Sequence, residues 1–97
     1  MRFPKQTTFD YNTEKSRWLK KTRGIGFEDV IALIDADCGL RVYAHPNRTK
    51  YAHQGMIELE VDGYTYLIPF VMSEQTCFLK TIYPSRKATR KLRKSSS

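Results

Sequence analysis

The sequence predicts an α+β protein in which two N-terminal helices pack on an antiparallel sheet of about four strands. Apolar residues recur at helical spacing in the first third of the chain. From Leu40 onward they alternate with polar residues, as in a strand with one face in water. With 97 residues, the chain is expected to form a single domain over residues 1–97, with 1–8 and 95–97 frayed.

The first helix is predicted over residues 13–22. Asp10 or Asn12 is expected to cap it, because a short side-chain oxygen accepts hydrogen bonds from the free amides of the first turn. Trp18 and Leu19 are predicted to form its apolar face and to pack in the core.

The second helix is predicted from an apolar stripe at positions i, i+3, i+4 and i+7. This spacing is that of one helix face, and the residues are Phe27, Val30, Ile31 and Ile34. Gly39 is expected just beyond the helix, where a left-handed residue often ends it.

A β-hairpin is predicted at Asp62-Gly63, since this pair suits the two positive-φ positions of a type I′ turn. The resulting register places Ile57 opposite Ile68. Pro69 is expected at an edge or a bulge, because proline cannot donate to a strand ladder. Further strands are predicted over residues 40–44 and 76–83.

The net charge of +7 is unevenly distributed. Residues 1–23 carry seven Lys or Arg and two acidic residues, residues 24–83 carry four and eight, and residues 84–97 carry six and none. Basic ends around a mildly acidic centre favour a polyanionic partner, although lysine that serves only solubility gives the same composition. The final basic stretch is expected to be a helix or a tail.

Several classes of protein disagree with the composition. No apolar run approaches the ~20 residues of a membrane helix, and the start of the chain has no secretory signal pattern, so a cytoplasmic protein without membrane contact is expected. Cys38 and Cys77 lack the spacing of metal ligands and are expected to be inert thiols. No metal and no cofactor are expected.

Candidate site residues are imidazole, aromatic and cationic side chains. His45 and His53 flank the basic and aromatic segment 47–51, and histidine exchanges a proton near neutral pH. Lys80 is predicted on a mostly apolar strand face, where it needs an acid or a phosphate as partner unless it lies at a strand edge. Arg86 and Lys87 would begin a helix, where the helix dipole disfavours cations unless an anion binds.

Six short segments, spread over nearly the whole chain, resemble those of one known family. They are Phe9–Lys15, Gly24–Asp29, Lys50–Gln54, Tyr66–Val71, Phe78–Lys87 and Arg86–Thr89. Together they are similar to the BrnT-type toxins of bacterial type II toxin-antitoxin systems. Each segment is short, and their order along so small a protein carries the resemblance.

The resemblance implies a RelE-like fold and a metal-independent endoribonuclease that cleaves RNA and inhibits translation. It also implies a cognate antitoxin protein as partner, in a toxin-antitoxin hetero-oligomer. Combined with the candidates above, the expected catalytic residues are Lys50, Tyr51, Lys80, Arg86, Lys87 and His45. The expected RNA contacts are Arg48, Arg90 and Lys91.

The expected reaction is attack of the RNA 2′-hydroxyl on its own neighbouring phosphate. Arg86, Lys87 and Lys80 would offset charge on the phosphorane, because fixed cations stabilise a transition state without reorganisation. Tyr51, Lys50 and His45 are alternatives for the general acid and base. Two other functions fit the sequence: a nucleic-acid-binding regulator without catalysis, and a ParE-like toxin that acts on a protein target.

Overall fold

The computed structural model describes residues 3, 6–36, 40–47 and 49–85. Within these residues the fold is α+β, as predicted, and the expected C-terminal basic helix or tail lies outside them. The described elements are two helices and six strands: β1 (Thr8–Asp10), α1 (Thr13–Arg23), α2 (Phe27–Asp35), β2 (Leu40–Ala44), β3 (Gln54–Val61), β4 (Tyr64–Ser73), β5 (Thr76–Leu79) and β6 (Tyr83–Pro84).

Helix α1 begins and ends with local hydrogen bonds that the sequence encodes. The Asn12 side chain accepts a 3.0 Å hydrogen bond from the Lys15 N–H, so Asn12 is the N-cap. Gly24, at φ 77°, ends the helix and donates its N–H to the Lys20 carbonyl. The prediction of this helix is confirmed, with one further residue at its end.

The prediction that Trp18 packs in the core is wrong. Leu19 is fully buried and Ser16 is buried beside it, whereas Trp18 is 54% exposed. Ser16 and Leu19 lie three residues apart and so share the inward side of α1. One residue turns the helix by about 100°, which carries Trp18 away from that side.

Ser16 joins α1 to the start of α2. Its hydroxyl accepts the buried Phe27 N–H at 2.9 Å and donates to the Glu28 carboxylate at 2.5 Å. The Tyr11 hydroxyl donates to the same carboxylate, and the Gly26 N–H donates to Asp29. The bonds from Phe27 and Gly26 satisfy N–H groups at the start of α2 that have no partner within the helix.

Replacing Ser16 with alanine is expected to lower the free energy of unfolding by about 1 to 3 kcal/mol, because the buried Phe27 N–H loses its acceptor. Urea unfolding measures the change. Thr22→Ala removes an exposed hydroxyl bonded to the Trp18 carbonyl and is the matched control, with an expected change below about 0.5 kcal/mol. Equal stability of the two variants would contradict the role of Ser16.

Acid is expected to weaken this helix junction. The hydrogen bond from Ser16 holds the pKa of Glu28 below its usual value. Glu28 therefore stabilises the folded chain above its unfolded pKa of about 4.3, and this contribution is lost as the pH falls through the folded-state pKa. Glu28→Gln should melt below the wild type at neutral pH, and the difference should shrink in acid. A difference that is constant with pH would contradict the linkage.

The prediction of an antiparallel sheet of about four strands is wrong in strand number and direction. The described strands form a six-stranded mixed sheet in the order β1-β5-β4-β3-β2, with β6 also paired to β4. β1 pairs with β5 in parallel. Three residues are too few to show a strand period, so sequence reasoning missed β1. Phe3 also packs edge-on against Phe9 and Phe70 at 5.3 Å, so part of the segment expected to be frayed contacts the core.

The predicted hairpin is confirmed. Asp62 and Gly63 have φ values of 52° and 78°, as a type I′ turn requires. Ile57 lies opposite Ile68, in the predicted register.

The predicted strand over 76–83 is interrupted. Leu79 lies opposite Phe70, but Tyr83 lies opposite Leu67, so the strand holds one residue more than its partner between these pairs. This is a β-bulge. Pro69 lies at this bulge, and its carbonyl accepts a hydrogen bond from the Lys80 N–H. The proline is therefore at a bulge of a central strand, as predicted.

The sheet has an inner face covered by the helices and an outer face. Buried residues of α1 and α2 form one core cluster with inward strand residues: Leu19, Ile25, Phe27, Val30, Val42, Ile57, Leu59, Ile68, Phe70, Cys77, Leu79 and Ile82. Strand residues that alternate with these point to the other side of the sheet. None of the described helices has the length and apolar character needed to cross a membrane.

Candidate functional site

Asn47 organises the loop between β2 and β3, residues 45–53. Its N–H donates to His45 Nδ1 at 3.0 Å, its carbonyl accepts the Tyr51 N–H at 2.9 Å, and its side chain accepts the Lys50 N–H at 3.1 Å. These bonds bring together three of the predicted site residues. Sequence reasoning missed Asn47, although asparagine is a common residue in turns because its side chain bonds nearby backbone.

His45, Tyr51 and Lys50 form a compact group, which we call the loop cluster. The rings of His45 and Tyr51 lie 4.3 Å apart between centroids, tilted by 40°. Lys50 Nζ lies 5.3 Å from the centroid of the Tyr51 ring, within the range of a cation–π interaction. Both rings are half-buried and Lys50 is exposed. The cluster thus places a cation and two polar rings at one end of the sheet.

The hydrogen bond to His45 decides which ring nitrogen carries the proton. Nδ1 accepts from the Asn47 N–H, so the neutral ring holds its hydrogen on Nε2. An Nε2–H group can donate to an anionic oxygen. The neutral ring therefore acts as a donor, and proton abstraction by Nδ1 would first require this loop bond to break.

Lys80 is not part of the loop cluster. Cross-strand pairing places Tyr43, Met56 and Pro69 in one row, and the Lys80 N–H continues that row by donating to the Pro69 carbonyl. Three strand spacings separate Tyr43 from Lys80, or about 14 Å. Lys80 is exposed on the outer face together with Phe78, but not with Ile82, the other apolar residue predicted beside it. The bulge turns Ile82 inward instead, where it is fully buried.

The outer face combines exposed aromatic rings with cations. Tyr43 is 44% exposed and Phe78 is 41% exposed, on strands β2 and β5. Arg41 lies two residues from Tyr43, and its pKa is raised by a hydrogen bond with the Tyr43 side chain and by the Glu58 carboxylate. Glu58 lies opposite Arg41 on the neighbouring strand and offsets its charge. Lys80 is a second cation of this face, on the other side of β4 from Arg41.

The remaining predicted site residues lie outside the described part of the chain: Arg48, Arg86, Lys87, Arg90 and Lys91. The described chain ends at Ser85, whose N–H donates to the Thr65 carbonyl. Val71 lies opposite Gln54, whose carbonyl accepts the His45 N–H, so Val71 marks the level of the loop cluster on β4. It is six residues beyond Thr65, a distance of about 20 Å along the strand. Ser85 and the loop cluster are therefore at opposite ends of the sheet.

Cys77 is fully buried, and burial raises the pKa of its thiol to about 12. It is therefore a protonated thiol at neutral pH, as expected of an inert cysteine. Cys38 lies outside the described residues. Among those that are described, no three His, Cys, Asp or Glu side chains are grouped as they would be around a metal ion.

Comparison of the chain with protein-family models, with curated proteins and with solved structures found no match.

Proposed function

We propose that this protein is an endoribonuclease toxin that cleaves RNA without a metal ion and thereby inhibits translation. The observation that carries the proposal is the loop cluster, which gathers His45, Lys50 and Tyr51 beside an open sheet face with exposed rings. Cationic and hydrogen-bonding groups suit a phosphate, and aromatic rings suit unstacked bases.

In the proposed reaction, the RNA 2′-oxygen forms a bond to the adjacent phosphorus and the bond from phosphorus to the 5′-oxygen breaks. A base takes the 2′-hydroxyl proton, and an acid gives a proton to the 5′-oxygen. The products are a 2′,3′-cyclic phosphate and a 5′-hydroxyl. His45 Nε2–H donates to a phosphorane oxygen and the Lys50 ammonium offsets its charge. Lys50 and Tyr51 are also the candidates for the acid and base, and Lys50 offsets charge only where it is not the base.

The other parts of the proposal concern fold and partners. Two helices against one face of a sheet are compatible with a RelE-like fold and with a BrnT-type toxin. We propose a cytoplasmic protein that a cognate antitoxin binds and inhibits in a hetero-oligomer. The segment with Arg86 and Lys87 provides further phosphate contacts in this proposal, as do Arg48, Arg90 and Lys91.

A non-catalytic nucleic-acid-binding protein is the second candidate. The separation of Lys80 from the loop cluster favours it, because cations spread over a face suit binding along a strand better than stabilising one phosphate. This candidate predicts salt-dependent RNA affinity without cleavage.

Purified protein is expected to cut single-stranded RNA into discrete fragments that carry 2′,3′-cyclic phosphate ends. A chelator should leave the rate unchanged, because the proposed reaction uses side chains alone. The same RNA with 2′-O-methyl groups is the control and should bind without being cut. Binding without any cleavage would replace the proposal with the second candidate, and cleavage abolished by chelator would refute the metal-independent reaction.

A further inference from the structure

The exposed surface of α1 consists of one aromatic ring among charged side chains. Trp18 is 54% exposed, the largest exposed fraction among the exposed large apolar side chains of the described chain. Residues three and four apart are neighbours on a helix, so Glu14, Lys15, Lys21 and Thr22 flank Trp18, and Arg17 directly precedes it. All of these residues are exposed. We call Trp18, Glu14, Arg17 and Lys21 the α1 surface.

The needs of the helix itself explain only part of this surface. Cations in the last turn complement the helix dipole, which accounts for Lys20, Lys21 and Arg23. Arg17 lies earlier in the helix, where Glu14 three residues before it attracts it but Lys21 one turn after it repels it. The dipole explains neither Arg17 nor the exposure of Trp18. A negatively charged group between Arg17 and Lys21 would relieve the repulsion.

The arrangement selects among anionic partners. A protein interface needs a contiguous apolar centre, and a membrane-bound helix needs a wide apolar face. Trp18 is surrounded by Glu14, Arg17 and Lys21 and provides neither. A nucleobase needs only one ring on which to stack, and its phosphates need cations near that ring. The α1 surface meets both needs.

We propose that the α1 surface binds single-stranded nucleic acid, with a base stacked on Trp18 and phosphates paired with Arg17 and Lys21. The helices cover the inner face of the sheet, so this surface and the outer face lie on opposite sides of the sheet. The proposed site does not depend on cleavage. It provides a second contact for a strand that extends beyond the sheet.

Trp18 is the only tryptophan of the chain, so its fluorescence reports on this surface directly. The probe is oligodeoxythymidylate, which lacks the 2′-hydroxyl and is not a substrate of the proposed reaction. Saturable quenching of Trp18 by the stacked base is expected. Log affinity should fall linearly with log salt at about 0.7 per phosphate contact.

Lys21→Ala and Lys20→Ala form a matched pair, since each removes one lysine from α1. Lys20 pairs with Asp29 at 2.9 Å instead of flanking Trp18, and this exposed pair contributes little to stability. Lys21→Ala should weaken binding and lower the salt slope by about 0.7, whereas Lys20→Ala should leave the slope unchanged. Trp18→Ala, measured by anisotropy of a labelled oligonucleotide, should weaken binding by roughly 5- to 150-fold.

Four results would overturn the inference. Equal effects of Lys20→Ala and Lys21→Ala would show diffuse charge attraction, and unchanged affinity in Trp18→Ala would exclude the stacked base. Oligonucleotide binding without a change in Trp18 emission would place the strand elsewhere and leave the proposed function intact. A blue shift with polyglutamate or with anionic lipid vesicles, without quenching by oligonucleotide, would assign the surface to another partner.

Discussion

Replacing His45 with alanine is expected to slow RNA cleavage by about 100- to 1000-fold, the usual effect of losing one preorganised donor to a transition state. The Asn47 N–H fixes the ring so that Nε2–H is the free donor, and the Tyr51 ring holds it from the side. The variant should bind uncleavable 2′-O-methyl RNA nearly as well as the wild type. Single-turnover cleavage separates this loss of rate from a loss of binding.

His53→Ala is the matched control, because His53 is the other histidine of the chain and lies in the same loop. The His53 side chain is exposed. Its backbone carbonyl accepts a hydrogen bond from the Met72 N–H, and alanine keeps this bond. His53→Ala should cleave at the wild-type rate. If His45→Ala also keeps that rate at equal folded concentration, His45 is not part of the catalytic group.

Local sequence signals predicted the parts of the fold that local interactions determine. The Asp62-Gly63 turn fixed its hairpin register because two positive-φ residues allow only one tight turn of that hand. Asn12 marked the start of α1 for a similar reason, since its side chain bonds an amide three residues away. Features of this kind depend on few residues and little on the rest of the molecule.

Features that depend on distant contacts were missed. β1 exists because Phe9 and its neighbours pair with a strand more than sixty residues later, and its own three residues carry no period. Trp18 and Leu19 are both apolar and adjacent, so only the packing of α1 shows which of them is buried. The bulge shifted the strand faces after Leu79, so Ile82, which was predicted on the face of Lys80, lies in the core instead.

The candidate site was predictable in its residue types but not in its arrangement. His45, Lys50 and Tyr51 are close in sequence, so a turn was enough to bring them together. The turn itself depends on Asn47, whose three hydrogen bonds have no periodic signature. The distance between Lys80 and the cluster follows from strand order, which one sequence does not reveal.

Gly55→Ala, which adds a single methyl group, is expected to destabilise the fold strongly. A Cβ at Gly55 would lie 2.5 Å from the ring of Phe70 and 2.5 Å from the carbonyl oxygen of Tyr43. The ring can turn, but the carbonyl belongs to β2, so relief requires β2 to move away from β3. Overpacking costs about 1 to 3 kcal/mol, and the backbone contact favours the upper end, near 3 kcal/mol.

This loss of stability should be accompanied by a loss of activity. Gly55 pairs with Ala44, the residue before His45, so separation of the strands displaces the loop cluster. For a domain of this size, about 3 kcal/mol lowers the melting temperature by more than 10 °C. Gly63→Ala is the matched control: φ at Gly63 is 78° but nothing lies within 4 Å, so only the cost of a left-handed residue, about 1 to 2 kcal/mol, is expected.

A double variant separates the two contacts of the added methyl group. Phe70→Leu removes the ring contact at Gly55→Ala but leaves the Tyr43 carbonyl in place. If the backbone contact dominates, the double variant should melt no higher than Gly55→Ala, and RNA cleavage should stay low in both. Full recovery of stability and cleavage would show that the ring alone excludes a side chain here. A Gly55→Ala protein that melts with the wild type would mean that β2 and β3 tolerate a wider spacing, and the loop cluster would then not depend on this glycine.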